Sequence, residues 1–176
     1  MVEPSSERAK LRSLHVIPAV APRYGGPSQA VLQMSRALQQ RGVDVLVATS
    51  DADGGGTLSV PLGQVVKYEG VPTVFFRRAW SEAFKYATGL SRWLKSQVTH
   101  FDVVHVHAVF SHSSVAAARA CIASGVPYLL RPLGSLDPWC LSQKVWRKRA
   151  FWRLWGRHMA AHAAATVKRS SSTLVV

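Results

Sequence analysis

Apolar and polar positions along this chain fall into two alternating rhythms. Continuous, β-branched apolar runs at 14–19 and 43–49 read as strands covered on both faces. The segments DVVHVH at 102–107 and VPYLLR at 126–131 add two more strands, and short strand candidates at 65–67 and 73–76 flank a Glu69-Gly70 turn. Between the strands the spacing becomes helical. From Ser28 to Arg41, the residues Ala30, Val31, Met34, Ala37 and Leu38 recur at steps of three and four. Pro27 suits the first turn of that helix and Gly42 the position just past its end. The same periodicity predicts a helix over 80–98, with Phe84, Ala87, Leu90 or Ser91, and Leu94 inward, another over 111–123 ended by Gly125, and a long one over 141–165.

Strands that alternate with long crossovers return the chain in parallel, with right-handed connections. The predicted fold is therefore α/β, a Rossmann-like, doubly wound, mostly parallel sheet. The pattern divides the chain into a polar tail at 1–13, one domain at 14–165, and a basic, Ser-rich tail at 166–176.

Composition narrows the class. With 176 residues, 48% hydrophobic and 18% charged, the chain can bury one real core and is not a disordered polymer. Cys121 and Cys140 are far apart and lack C-x-x-C spacing, which argues against a disulfide scaffold or zinc site; Cys121 reads as a small buried apolar residue. The start, MVEPSSERAK, has no apolar run behind a basic stretch, and no apolar segment reaches membrane-spanning length, so a cytoplasmic protein is expected. The net charge of +13 favours anionic partners without choosing among nucleic acid, anionic lipid and phosphorylated substrate.

In open α/β sheets, ligands bind beyond the C-terminal strand ends. Three segments belong there: the Gly25-Gly26-Pro27 loop, the turn from His107 to His112, and the loop from Arg131 to Trp139. Gly25 and Gly26 precede a helix, so backbone N–H groups there can approach an anion; a plain tight turn is the alternative. Asp51 ends the second strand, where a ribose-binding acid stands in dinucleotide folds, but the loop reads GGPSQA and not G-x-G-x-x-G. His105 reads as a packed core imidazole. His107, at the end of its strand, reads as a neutral imidazole contacting ligand. A metal held by His107 and His112 lacks an evident third ligand, so no metal is expected. Around the last helix Lys144, Arg147, Lys148 and Arg149 stand among Trp139, Trp146, Trp152 and Trp155; the plain reading is a surface helix packed through Val145, Trp152, Trp155 and Met159, and the sharper one is contact with an anionic membrane surface rather than nucleic acid.

Taken in order, YGGPS at 24–28, DVVHVH at 102–107 and RPLGSLDPW at 131–139 resemble the N-terminal, acceptor-side lobe of family-4 retaining glycosyltransferases of the GT-B fold. The resemblance implies a single lobe of a two-lobed enzyme that moves a sugar from a nucleotide-sugar donor to a glycan or lipid-linked acceptor, in polysaccharide or glycolipid biosynthesis. It implies that Gly25 and Gly26 approach the donor diphosphate and that the catalytic-side histidine near the transferred sugar is His107. It also implies that Arg131, Gly134, Asp137 and Trp139 shape the acceptor side and that no cofactor or metal is needed. The family's second lobe, with its E-x7-E motif and nucleotide-holding basic residues, has no counterpart in these 176 residues, so little turnover by this chain alone is expected. The rival is a stand-alone basic module for membrane surface or nucleic acid, with binding centred on the last helix.

Overall fold

The computed structural model describes residues 10–80, 82, 84–133 and 145–166. The first strand, β1 (Arg12–Ala19), lies at the middle of a seven-stranded sheet. Helix α1 (Gly26–Gln40) carries the chain to β2 (Asp44–Ser50), parallel to β1, with His15 beside Val47. Two small hairpin strands follow, β3 (Ala52–Asp53) and β4 (Gly56–Thr57). Then β5 (Val65–Tyr68) turns at Glu69-Gly70 into β6 (Val71–Phe76), the antiparallel pair at one edge of the sheet. A second small hairpin, β7 (Arg78–Ala79) and β8 (Tyr86–Ala87), leads to α2 (Leu90–Gln97).

The chain then crosses to the other side of β1. Strand β9 (Val103–His107) pairs parallel with β1, so that His105 lies beside His15. Helix α3 (His112–Ser124) and β10 (Tyr128–Arg131) follow, with Arg131 beside His107. The last segment is α4 (Val145–Phe151), a π-helical turn at Trp152–Gly156, α5 (Arg157–His162) and the edge strand β11 (Ala165–Thr166). The strand order β11-β10-β9-β1-β2-β6-β5 is mostly parallel, as predicted. It reverses direction between β1 and β9, which is the switch point where such sheets leave a crevice.

Two cores form on the two faces. Leu14, Val16, Val104, Val106, Tyr128 and Leu130 pack beneath α2, α3 and α5. Ile17, Val47 and Phe75 pack beneath Val31 and Leu32 of α1. Cys121 is buried in the first core, which pushes its thiol up to about 12.

Three predicted elements are corrected. The helix over 80–98 starts only at Leu90. Trp80 and Lys85 have φ of 62° and 48° and Gly89 has 84°, values a right-handed helix cannot contain, so 78–87 forms a hairpin instead. The last helix is continuous from Val145 to His162 but carries a π-helical turn at Trp152–Gly156, where an added Cβ on Gly156 would come 2.4 Å from the Trp152 ring, and it stops short of Ala165, which is in a strand; its expected start at 141–144 lies outside the described residues. In α1 the buried stripe is Ser28, Val31, Leu32 and Ser35, while Ala37 is exposed.

Candidate functional site at the strand C-termini

The loop after β1 is built by glycine. Pro22–Tyr24 forms a 3-10 turn closed by Gly25 N–H on the Pro22 carbonyl at 2.9 Å. Gly25 has φ 65° and ψ −138°, a combination open to glycine and strained for any other residue. That conformation launches α1, with Pro27 in its first turn and no side-chain cap, so the helix presents its free backbone donors at this edge. Ser28 Oγ donates to the Ala19 carbonyl at 3.3 Å and ties the helix start to the end of β1.

An open cavity of about 220 Å³ lies there. Tyr24, Pro27 and Ser28 line it from the glycine loop, Ala108 from the end of β9, and Pro132 and Leu133 from the end of β10. The floor is Ile17 to Ala19 of β1, and Lys85 reaches in from the β7–β8 hairpin. Three loops distant in sequence thus meet at one crevice beside the switch point. The volume is below the roughly 300–1,000 Å³ of a whole small-molecule site, so the cavity can seat one part of a ligand.

Ion pairs brace the rim. Tyr24 Oη donates to Glu82 Oε1 at 2.5 Å and accepts from Gly54 N–H at 2.8 Å. Glu82 also pairs with Lys85 at 2.9 Å and Arg78 at 3.3 Å. Burial alone would raise its carboxyl, but the Tyr24 hydrogen bond and the Lys85 and Arg78 cations leave it below the usual range. Burial and the same bond push the Tyr24 hydroxyl up to about 12. Asp51, weighed as a ribose-binding acid, is turned inward. Its Oδ1 accepts Arg78 N–H at 2.6 Å and its Oδ2 pairs with Arg77 at 3.2 Å.

The histidines correct the sequence reading. His107 does not line the cavity: its ring is fully buried, and Nε2 shares a 3.2 Å hydrogen bond with His15 Nδ1. The reason is strand alternation. Ala108 follows His107 and lines the cavity, so the His107 side chain lies beneath that surface, on the face shared by His15 and His105. Arg131 is likewise on that face, its Nη1 3.6 Å from Met34 Sδ of α1, and the lining is left to its neighbours Pro132 and Leu133. His105, expected in the core, is half-buried and stacked on His15, with centroids 4.6 Å apart. Burial drives the His15 pKa down to about 3, and it also lowers His105 and His107, reinforced by the Arg131 charge and, for His107, by the other two imidazoles.

His15, hidden in the sequence among the apolar residues of its strand, completes this cluster. Among the described residues these three are the group whose ligand atoms approach within 4.8 Å of one another. They do not fit a metal as they stand. The ring planes of His15 and His105 are within 6° of parallel, so their in-plane lone pairs do not converge, and the Arg131 cation adjoins them. His112, the other weighed ligand, is committed elsewhere. Its Nδ1 accepts from Ala87 N–H at 3.2 Å and its Nε2 meets Ser91 Oγ at 3.1 Å.

Gly134, Asp137, Trp139 and Lys144 lie outside the described residues. Arg147 and Lys148 are described only as backbone of α4, and Arg149 is exposed. Trp146 and Leu154 are 73% and 66% exposed, and Arg153 and Arg157 stand with them at the surface. No helix among the described residues is long and apolar enough to cross a membrane.

The parallel sheet, the switch-point crevice and the glycine loop define a Rossmann-like α/β lobe of the GT-B type. The chain belongs to Glycosyltransferase Family 4, whose family profile matches residues 24–174 and so runs on past Ala165 into the expected tail. A curated relative, the GDP-mannose:cellobiosyl-diphosphopolyprenol alpha-mannosyltransferase of Komagataeibacter xylinus, is 33% identical over 100 residues, 56% of this chain and 24% of the relative. Among solved structures, MurG of Acinetobacter baumannii matches with a TM-score of 0.53 at 12% identity, over 95% of this chain and 44% of that one. The UDP-GlcNAc 2-epimerase of Methanocaldococcus jannaschii matches with a TM-score of 0.52 at 12% identity, over 92% and 40%. At those identities the structures speak to fold alone. The chain spans about a quarter of the curated relative's length.

Proposed function

We propose that this domain is the acceptor-side half of a retaining hexosyltransferase that moves a sugar from a nucleotide-sugar donor to a glycan or lipid-linked acceptor in polysaccharide or glycolipid biosynthesis. The observation that carries the reading is the meeting of the glycine loop, Ala108 and Pro132-Leu133 around one crevice in a chain of this family. Free amides at the start of α1 and the positive end of its dipole suit a diphosphate. The Komagataeibacter relative's name makes GDP-mannose the first donor to try.

His107 enters this proposal as a positioning residue. Its carbonyl and that of Ala108 receive the Ser114 hydroxyl at 3.4 and 3.2 Å, and its neutral ring props the end of β9 from below. Arg131, Gly134, Asp137 and Trp139 remain our candidates for the acceptor side. Catalysis requires donor and acceptor held in register, and orientation is worth about 7–11 kcal/mol of barrier. Groups outside these residues must therefore supply the hold on base and ribose, and no cofactor beyond the donor is proposed.

We further propose peripheral contact with an anionic membrane at the cytoplasmic face through α4 and the turn after it. Support comes from exposed Trp146 and Leu154 beside Arg149, Arg153 and Arg157, with no acid between residues 145 and 166. Each basic group near such a surface gains about 1 kcal/mol. Changing Lys144, Arg147, Lys148 and Arg149 together to Glu should abolish salt-sensitive co-sedimentation with phosphatidylglycerol vesicles; equal sedimentation removes this anchor. The transfer reading is tested by nucleoside diphosphate release from a panel of GDP- and UDP-sugars. The expected result is turnover by this domain fused to the C-terminal lobe of the Komagataeibacter relative, and none by the domain alone. Robust turnover by the domain alone, or none by any fusion, contradicts it.

A further inference from the structure

The β7–β8 hairpin at the cavity rim holds an exposed aromatic surface. Trp80 is 87% exposed, at φ 62°, a conformation that bulky residues avoid. Its ring is held face to face on Tyr86, centroids 5.4 Å apart and planes within 21°. Tyr86 in turn packs on His112 at 4.2 Å, and His112 is fixed by Ala87 N–H and Ser91 Oγ. The indole is therefore backed by a fixed stack on one side and open on the other. The hairpin is locked to the glycine loop through Glu82 and Tyr24, and Lys85 of the same hairpin lines the cavity.

We propose that Trp80 is the platform on which a pyranose ring of the acceptor glycan stacks, placing the next sugar toward the cavity. The inference rests on the transfer reading above for the identity of that glycan as acceptor. A rigid indole offers a large flat face at little entropic cost, and the axial C–H groups of a pyranose present a matching apolar face. Its surroundings suit a saccharide and not a lipid surface. On the hairpin Arg78 and Lys85 share Glu82, and close by Arg77 pairs with Asp51 and Arg23 with Asp53, so most of the charge around Trp80 is paired.

The test follows the indole N–H signals of the six tryptophans in ¹⁵N spectra of the chain. Cellobiose, lactose, maltose and mannobiose are added in turn at millimolar concentration, with Trp80 assigned by Trp80→Ala. At least one disaccharide should shift the Trp80 signal. In the fused transferase, Trp80→Ala should raise the acceptor KM about tenfold, the size of a binding hot spot, and leave the donor KM unchanged. Trp80→Phe, which keeps a stacking ring, should recover most of the loss, and neither variant should change the melting temperature enough to account for it. No shift with any disaccharide, or an unchanged acceptor KM, overturns the proposal. Loss of vesicle binding by Trp80→Ala without any saccharide effect overturns it in favour of a lipid contact. Saccharide shifts at Trp80 in a protein that transfers nothing would instead sink the transfer reading and leave the platform standing.

Discussion

On the face toward α2, α3 and α5, strands β1, β9 and β10 present Leu14, Val16, Val104, Val106, Tyr128 and Leu130. On the face toward α1, the same three strands present Ser13, His15, His105, His107 and Arg131. Both faces are largely buried, yet one is held by apolar packing and the other encloses polar atoms without partners among the described residues: Ser13 Oγ, Ser35 Oγ, His15 Nε2 and His107 Nδ1. An unpaired buried polar group costs about 1–3 kcal/mol. The contrast separates two tasks within one sheet. In these three strands the apolar face packs as core, and the polar face underlies the edge where the cavity opens, while the core on the α1 side is carried by Ile17 and the neighbouring strands.

The largest effect that could break this comparison lies on the apolar face. Leu14 is fully buried, so Leu14→Ala should cost about 2–5 kcal/mol in urea unfolding, whereas His15→Leu, one residue on, should cost less, about 1 kcal/mol, because the apolar gain at 15 is offset by leaving His107 Nε2 without its partner. Equal losses would erase the distinction between the faces. Next is pH. The unfolded His15 takes a proton near 6.5 and the folded one only near 3, so the unfolded state binds more protons between those values. Stability should therefore be flat above 6.5 and fall as pH drops toward 3, by at most about 1.4 kcal/mol per pH unit for each such histidine. His107 adds in the same direction, and His15→Leu should flatten the slope.

Smaller effects sharpen the picture at the edges. Gly25→Ala meets no atom within 4 Å, so its cost is conformational alone, about 1–3 kcal/mol by thermal unfolding, with a larger loss of ligand binding than of stability. Tyr128 donates to the Met159 carbonyl at 2.5 Å and pins α5 to the apolar core. Tyr128→Phe should cost about 1 kcal/mol and loosen the last helix first, read by hydrogen exchange in 157–162.

The mostly parallel sheet and the meeting of three loop segments at its C-terminal edge were legible because strand runs, glycine positions and crossover lengths are local signals, whereas the order of the strands was not. The buried stripe of α1 was not, since Ser28 and Ser35 break its apolar pattern while lying fully inside. The hairpin at 78–87 was hidden by residues with ordinary helical spacing whose backbone turns left-handed at Trp80 and Lys85. At His107 the strand end was read correctly and the direction of its side chain was not. The two-residue period that groups it with His105 also carries it into the buried cluster with His15, and His15, the partner that would have revealed this, lies 92 positions away.

The central claim is that ligand enters at the glycine loop and Ala108, between β1 and β9. Amide ¹⁵N spectra of the chain titrated with GDP-mannose test it most directly. The account predicts shifts at Gly25, Gly26, Ser28 and Ala108 that are lost in Gly25→Ala. Shifts confined to α4 and α5, or a response untouched by Gly25→Ala, would contradict it.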